Sequence, residues 1–392
     1  MSKETGRVWT KNLITLAAAS FFVQLGMGFQ NGVATNFYVQ ELKLGGDLIL
    51  WLAGIREIPG LLLMFLAALL SRLPLARRGV VSVLLMALGY GLWALVHSYT
   101  ALIACALIAS VGFHLWTPLI ASIGMGLVDK ARCGAVLGRL NSIGALAALG
   151  GMLLISQTVD KLGLRVFFIL SGIALVVAAA LLWLLPTKLN HDGPQKKLVF
   201  RPRYWLYYTL TFFEGSRTQV FFAFASWVLV EFYGMDASKL PLLLVASGLV
   251  NWIGAPVMGA WIDRLGERRI LLGSYLGLAL AFVGYATLHN VWLLCGLYVI
   301  INYLVISREA LNTYINRIAL PGELVPTLSA GVSVNHITSV TMSFLAGTLL
   351  RVVGYETLSW GVAVMILLSC PFAWLVNPKH IPFVKAEEAV TG

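Results

Sequence analysis

Ionisable side chains set inside long apolar stretches are the residues of this chain best suited to do chemistry. In TFFEGSRTQVFF, Glu214 and Arg217 stand three residues apart near the middle of one such stretch, so on a helix they share a face. Arg56 and Glu57 are adjacent in another, where helical geometry points them about 100° apart, so at least one must reach a neighbouring helix or water. His114 and His336 fall near the middle of two more, where a group titrating near neutrality could take up and release protons, or could bond quietly within a packed core. A charge in hydrocarbon costs about 2.5–3.5 kcal/mol on insertion scales, so each such group needs a partner or a water-filled cavity. Thr211 and Thr218 on nearby turns favour a wetted, cavity-lining face for Glu214 and Arg217 over a sealed ion-pair lock. Gln24, Gln30 and Asn31, together with Asn302 and Tyr303, complete the polar inventory, some of it suited to bonding across helices. The chemistry on offer is recognition of a small polar or charged solute and proton exchange.

The elements that must position these groups are membrane helices. Of 392 residues, 59% are hydrophobic and 11% charged, too little polar surface for a soluble globule of this size. Twelve apolar runs follow one another: Asn12–Phe37, Leu48–Leu70, Val80–Val96, Ala101–Leu127, Ala135–Gln157, Val166–Leu185, Trp205–Val230, Leu240–Ile262, Ile270–Leu288, Val291–Tyr314, Pro326–Leu350 and Thr357–Leu375. Each is near the roughly 20 residues needed to cross about 30 Å of hydrocarbon. The first follows MSKETGRVWTK, lacks a small-residue cleavage pattern, and is expected to be retained as a helix.

With both termini in the cytosol, cytosolic segments hold 19 Lys and Arg and the opposite side 5. The positive-inside rule therefore predicts that orientation and accounts for most of the +11 net charge without nucleic acid. The four remaining cations, Arg56, Arg139, Arg217 and Arg308, lie within the runs. Arg308 beside Glu309 and Arg139 both fall near the cytosolic ends, the first placed for snorkelling and the second for a gate. Trp51, Trp183, Trp205, Trp261 and Trp292 sit at run ends as interfacial anchors. Cys105, Cys133, Cys295 and Cys370 are far apart and read as packing residues, with no metal site.

The linking segments carry one pronounced signal. Gly259 to Arg269 reads GAWIDRLGERR and turns the eighth run into the ninth. Gly266 permits a backbone conformation closed to other residues. Asp263 can accept from the free N–H groups of a neighbouring helix start, and Arg264, Arg268 and Arg269 fix the turn on the cytosolic side. The spacing G-x-x-x-D-R-x-G-x-R-R resembles the loop signature of the major facilitator superfamily of secondary transporters, in its second-half copy. A fainter echo, Ser71-Arg72-Leu73-Pro74-Leu75-Ala76-Arg77-Arg78, stands where a duplicated first half should carry it, with serine in place of the acid and no glycine. Gly138-Arg139-Leu140-Asn141-Ser142-Ile143 and Val332-Ser333-Val334-Asn335-His336-Ile337, 194 residues apart, add a second trace of duplication. Gly144, Gly150 and Gly151 are expected to let the fifth helix approach its neighbours closely. The fifth run lacks the proline and the fourth run the arginine that drug–proton antiporters of the family often carry there.

The resemblance implies an all-α membrane protein of twelve transmembrane helices in two pseudo-symmetric six-helix bundles. Residues 1–186 form the first bundle, 187–204 a basic cytosolic linker, 205–376 the second bundle and 377–392 a cytosolic tail. It further implies a central cavity and alternating access. The expected substrate and coupling residues are Glu214, Arg217, Arg56, Glu57, His114, His336, Gln24, Asn302 and Tyr303. The expected gating residues are Gly259, Asp263, Arg264, Gly266, Arg268, Arg269 and Arg139. No Walker loop, H-E-x-x-H or G-x-S-x-G pattern occurs, so neither ATP-driven transport nor an enzyme is indicated, and no cofactor is expected. The expected activity is transport of a small organic solute across the cytoplasmic membrane by a monomer, coupled to protons, with export favoured. The alternatives are symport or facilitated uptake of an anion, and a receptor or scaffold without flux.

Overall fold

In hydrocarbon a backbone group has no water to bond, so a spanning segment must satisfy its own N–H and C=O groups, and the described residues do so with helices. The computed structural model describes residues 9–129, 132–189 and 200–377. Most of the expected linker and almost all of the expected tail lie outside the described residues. The helices are α1 (Lys11–Asn36), α2 (Gly46–Leu61), α3 (Leu63–Leu69), α4 (Leu75–Leu92), α5 (Tyr99–Gly126), α6 (Cys133–Leu162), α7 (Leu164–Trp183), α8 (Trp205–Glu231), α9 (Leu240–Leu265), α10 (Glu267–Thr287), α11 (Val291–Val305), α12 (Glu309–Ile318) and α13 (Leu324–Trp374). Polar residues start several of them by accepting from the otherwise unpaired first-turn N–H groups. Thr10 caps α1, Ser98 caps α5 and Asn290 caps α11.

Among the described residues, nine helices are long and apolar enough to cross a membrane, and α2 with α3 forms one further, broken span bent by 53°. The 51-residue α13 is two spans joined at Gly354, and the 27-residue α8 carries the Glu214–Arg217 pair. These account for the twelve runs. Pro59 lies three residues before the break at Leu62, close to the bend expected of Pro59-Gly60. The tenth run is interrupted by a 3₁₀ turn at Ile306–Arg308, which the apolar pattern alone does not announce.

Three turns use glycine in the same extended, positive-φ conformation: Gly163 (φ 76°) before α7, Gly266 (φ 82°) before α10 and Gly354 (φ 75°) within α13. That region is essentially closed to residues with a Cβ, which is why so short a link can reverse the chain.

The described contacts divide the chain into two compact units, one of residues 1–194 and 226–248, the other of 195–225 and 249–392. In the first, α1 packs on α6 and α7, and α4 packs on α5 and α7. Its core holds an aromatic cluster in which Trp93 meets Tyr38, Tyr90 and Phe168 at ring-centroid distances of 5.4–5.7 Å. Gly144 and Gly151 admit Gln24 and Leu25 of α1 into close contact with α6, whereas nothing lies within 4 Å of the position a Gly150 Cβ would take. In the second unit α10 packs on α11 and α13, with Phe221 of α8 against Phe282 and Tyr298.

Candidate functional site

Helix α8 brings Glu214 and Arg217 together as their spacing predicts. Arg217 Nη2 lies 2.6 Å from Glu214 Oε2, with the side chains 3% and 6% exposed. Thr218 donates to Glu214 Oε1 at 2.9 Å, so both carboxylate oxygens are bonded. The guanidinium also lies 4.1 Å from the ring centroid of Tyr275 on α10, a cation–π contact that helps hold the charge where water is scarce. Arg217 Nε and Nη1 and the Tyr275 hydroxyl are buried and find no hydrogen-bond partner among the described residues. This is a charge pair with donors to spare, and the sequence reading missed Tyr275, whose position in an apolar run carries no sign of a cationic neighbour.

Arg56 meets a different environment in the first unit. Its guanidinium lies beside the hydroxyls of Tyr90 and Tyr38, so it does reach α4 and the π-helical turn Phe37–Glu41 that continues α1. The backbone is opened here as well. Pro59 lacks an N–H and its ring disturbs the preceding turn, and the Arg56 carbonyl accepts from Ser110 of α5 and lies 3.3 Å from His114 Nε2. His114 is buried and engaged with that carbonyl, which ties together two of the expected site residues, Arg56 and His114. Gln30 of α1 is fully buried, and neither end of its amide has a hydrogen-bond partner among the described residues.

The remaining candidates are more dispersed. Gln24 is half-buried against Gly144. Asn302 is buried and donates to the Tyr298 carbonyl of its own helix at 2.9 Å. Tyr303, with Val250, Ile253, Gly254 and Val257, lines a cavity of about 260 Å³, and Gly254 leaves room for its ring against α9. His336 is half-buried on α13. Arg139 is exposed, 5.8 Å from the Trp9 ring. Arg308 and Glu309 are exposed and 3.7 Å apart.

At the hinge, Arg268 donates to the Val376 carbonyl at 2.7 Å and lies 5.6 Å from the Trp374 ring, fastening the end of α13. Arg264, Arg269 and Gly259 are exposed. Asp263 is 74% exposed, 3.9 Å from Arg317. The buried acid of the turn is its neighbour Glu267, wholly inaccessible and 2.8 Å from Arg317 Nε. Neither Glu267 nor Arg317 stands out in sequence, because an acid among arginines in a short loop reads as surface.

The sequence profile of the Major Facilitator Superfamily matches residues 16–213 and again 207–390. A 69-residue stretch is 39% identical to the tetracycline resistance protein, class E, of Escherichia coli, covering 17% of this chain and 17% of that protein. Among solved structures, the nucleoside transporter NupG superposes with a TM-score of 0.77 at 12% identity, over 94% of this chain and all of that one. A bacterial homologue of the human lysosomal transporter Spinster, in an inward-facing and occupied conformation, gives 0.76 at 14% identity, over 93% and 96%. At such identities the structural likeness establishes the fold, and the two profile matches, one to each half, establish the family. The chain belongs to the major facilitator superfamily and is a multi-pass membrane transporter of the twelve-helix fold.

Proposed function

We propose that the protein is a secondary active transporter that exports a small organic solute across the cytoplasmic membrane by alternating access, driven by protons. The observation that carries the coupling is the Glu214–Arg217 pair: a carboxylate deep in a span, bonded to a cation, is a group whose protonation would release its partner. Arg217 then has free donors for a solute, and recovery of the pair on deprotonation resets the site. The stretch shared with a tetracycline resistance protein supports a drug-like solute as the cargo. The proposed frame is two bundles, 1–186 and 205–376, joined by the linker 187–204, with both termini and the 377–392 tail in the cytosol. Asp263 and its arginines serve the cytosolic gate.

Arg56 favours one alternative. A guanidinium flanked by two tyrosine hydroxyls suits an anionic solute, for which uptake by symport or facilitated diffusion is the natural direction.

The test is flux through purified protein in inside-out vesicles with an acidic lumen, using tetracycline as the first of a panel of drug-like solutes. Accumulation that collapses with a protonophore is expected. Entry that only follows the solute gradient would replace coupled export with facilitated diffusion, and absence of flux for the whole panel would count against the choice of solute class.

A further inference from the structure

We propose that each unit holds the phosphate of an anionic phospholipid at an arginine that clasps the tryptophan at the end of its last helix. In the first unit Arg77 Nη1 donates to the Trp183 carbonyl at 2.6 Å, and its guanidinium lies 3.9 Å from the Trp183 ring. In the second, Arg268 makes a related pair of contacts, its Nε–H donating to the carbonyl of Val376, two residues beyond Trp374, and its guanidinium lying 5.6 Å from the Trp374 ring. Arg268 and Trp374 each stand 191 residues after Arg77 and Trp183, as Gly354 does after Gly163. The clasp is therefore a repeated device and not an accident of one surface.

A carbonyl in the last turn of a helix, as at Trp183, or just past it, as at Val376, has no intrahelical partner, so one guanidinium N–H satisfies it. An arginine has five such donors, and the others remain at the level of the tryptophan, a residue favoured where hydrocarbon meets headgroups. Around each clasp the surface is both apolar and cationic. Trp183, Leu184, Leu69 and Leu73 are exposed beside Arg72 in the first unit. Trp374, Leu375, Trp261 and Leu265 are exposed in the second, where Arg264 and Arg269 add charge. Acyl chains fit the apolar part, and a phosphate monoanion fits the planar donors. The sites differ in one respect. Asp263 is exposed beside the second, whereas Ser71–Arg78 contains no acid, so the first is the stronger.

The experiment is native mass spectrometry of the full-length protein with equal amounts of phosphatidylglycerol and phosphatidylcholine of matched chains. It needs no transport assay, so its outcome is independent of the function proposed above. Because Arg77 and Arg268 also bond helix-end carbonyls, the variant sets are Arg77→Gln with Arg72→Gln for the first site and Arg268→Gln with Arg264→Gln for the second, since the glutamine amide N–H can still donate to the carbonyl. Wild type is expected to retain two phosphatidylglycerols in preference to phosphatidylcholine. Each variant set should lose one of them, and the combined variant should lose the preference. Equal retention of both lipids by wild type, or an undiminished preference in the combined variant, overturns the proposal. Inorganic phosphate is included as a competitor: persistence of bound lipid supports a phospholipid site, and its displacement by phosphate overturns the assignment to lipid.

Discussion

Each unit sets an arginine beside tyrosines, yet the two are held in different ways. Arg217 has its acid one turn away on the same helix and the face of Tyr275 beneath it, and is almost fully enclosed. Arg56 is half-buried, with two phenol hydroxyls and the adjacent Glu57 about it and its own carbonyl bonded by Ser110. Counting 191 residues from Arg217 and from Arg56 reaches Gly26, where α1 closes on Ser171 of α7, and Ser247, neither of them ionisable. The glycine turns and the arginine–tryptophan contacts recur 191 residues apart, while neither Arg217 nor Arg56 has a charged residue at that spacing.

The largest effect should come from dividing the Glu214–Arg217 pair. Glu214→Gln leaves a buried cation without its acid, and is expected to destabilise the protein by about 3–5 kcal/mol. Adding Arg217→Gln removes both charges and should restore most of the melting temperature. If the pair serves coupling, the restored protein reaches the membrane in normal amount and still moves no solute. Full transport by the double variant would remove any essential role for the pair. Arg56→Gln, at a half-buried site where two hydroxyls can bond one another or water, should cost less than Glu214→Gln. Equal losses in thermal unfolding would erase the distinction between the two units.

A second test addresses the shared scaffold. Gly163→Ala and Gly354→Ala each place a Cβ on a backbone near φ 75°, with open space around it, so the penalty is conformational. A cost of about 1–3 kcal/mol is expected at both positions, similar in size. A large loss in one and none in the other would mean that the two turns are not equivalent.

How much of this was legible beforehand depended on whether the contact has a local signature. Glu214 and Arg217 were readable because three residues on a helix fix a shared face. The Gly266 turn was readable because glycine and a run of arginines are visible in any sequence. The Arg77 and Arg268 clasps were not, since their acceptor is a backbone carbonyl more than a hundred residues away and any residue supplies one. Asn141 and Asn335 stand 194 residues apart, and Gly163 and Gly354 stand 191 apart. Glu267 was passed over for Asp263 because burial within a short loop depends on what packs over it.

That last pair of acids gives the third test. Asp263→Asn removes an exposed charge 3.9 Å from Arg317 and should leave stability nearly unchanged. Its expected effect is on conformation: accessibility of engineered cysteines on the two membrane faces should shift toward inward access. An unchanged balance would argue against a gating role. Glu267→Gln removes the buried partner of Arg317, which itself is partly exposed, and should cost about 1–2 kcal/mol. If Asp263→Asn lowers the melting temperature more than Glu267→Gln does, the buried acid is not the structural one.

The smallest effect concerns the entry to α8, where the second unit uses a contact that has no counterpart among the described residues at the start of α1. Tyr204 donates to Glu323 Oε2 at 2.6 Å and accepts from the Leu320 N–H, while Arg201 Nη1 lies 3.1 Å from Glu323 Oε1. Thr10 at the head of α1 caps its own helix, accepting from the Leu13 N–H. Burial, and then the hydrogen bond to Glu323, push the Tyr204 phenol above its usual value of 10.0. The sign follows directly: the folded state favours the protonated phenol. Its contribution is complete below the unfolded value near 10.0 and declines as pH rises through the higher folded value. Tyr204→Phe should therefore lower stability by about 0.5–1.5 kcal/mol at neutral pH and flatten the alkaline limb of the melting curve. Measuring melting temperature from pH 7 to 11 for both proteins decides the matter, with the pH range chosen to bracket the tyrosine reference value. Parallel alkaline limbs would show that Tyr204 holds the linker end by packing alone and that the difference between the two helix starts is steric, without an electrostatic part.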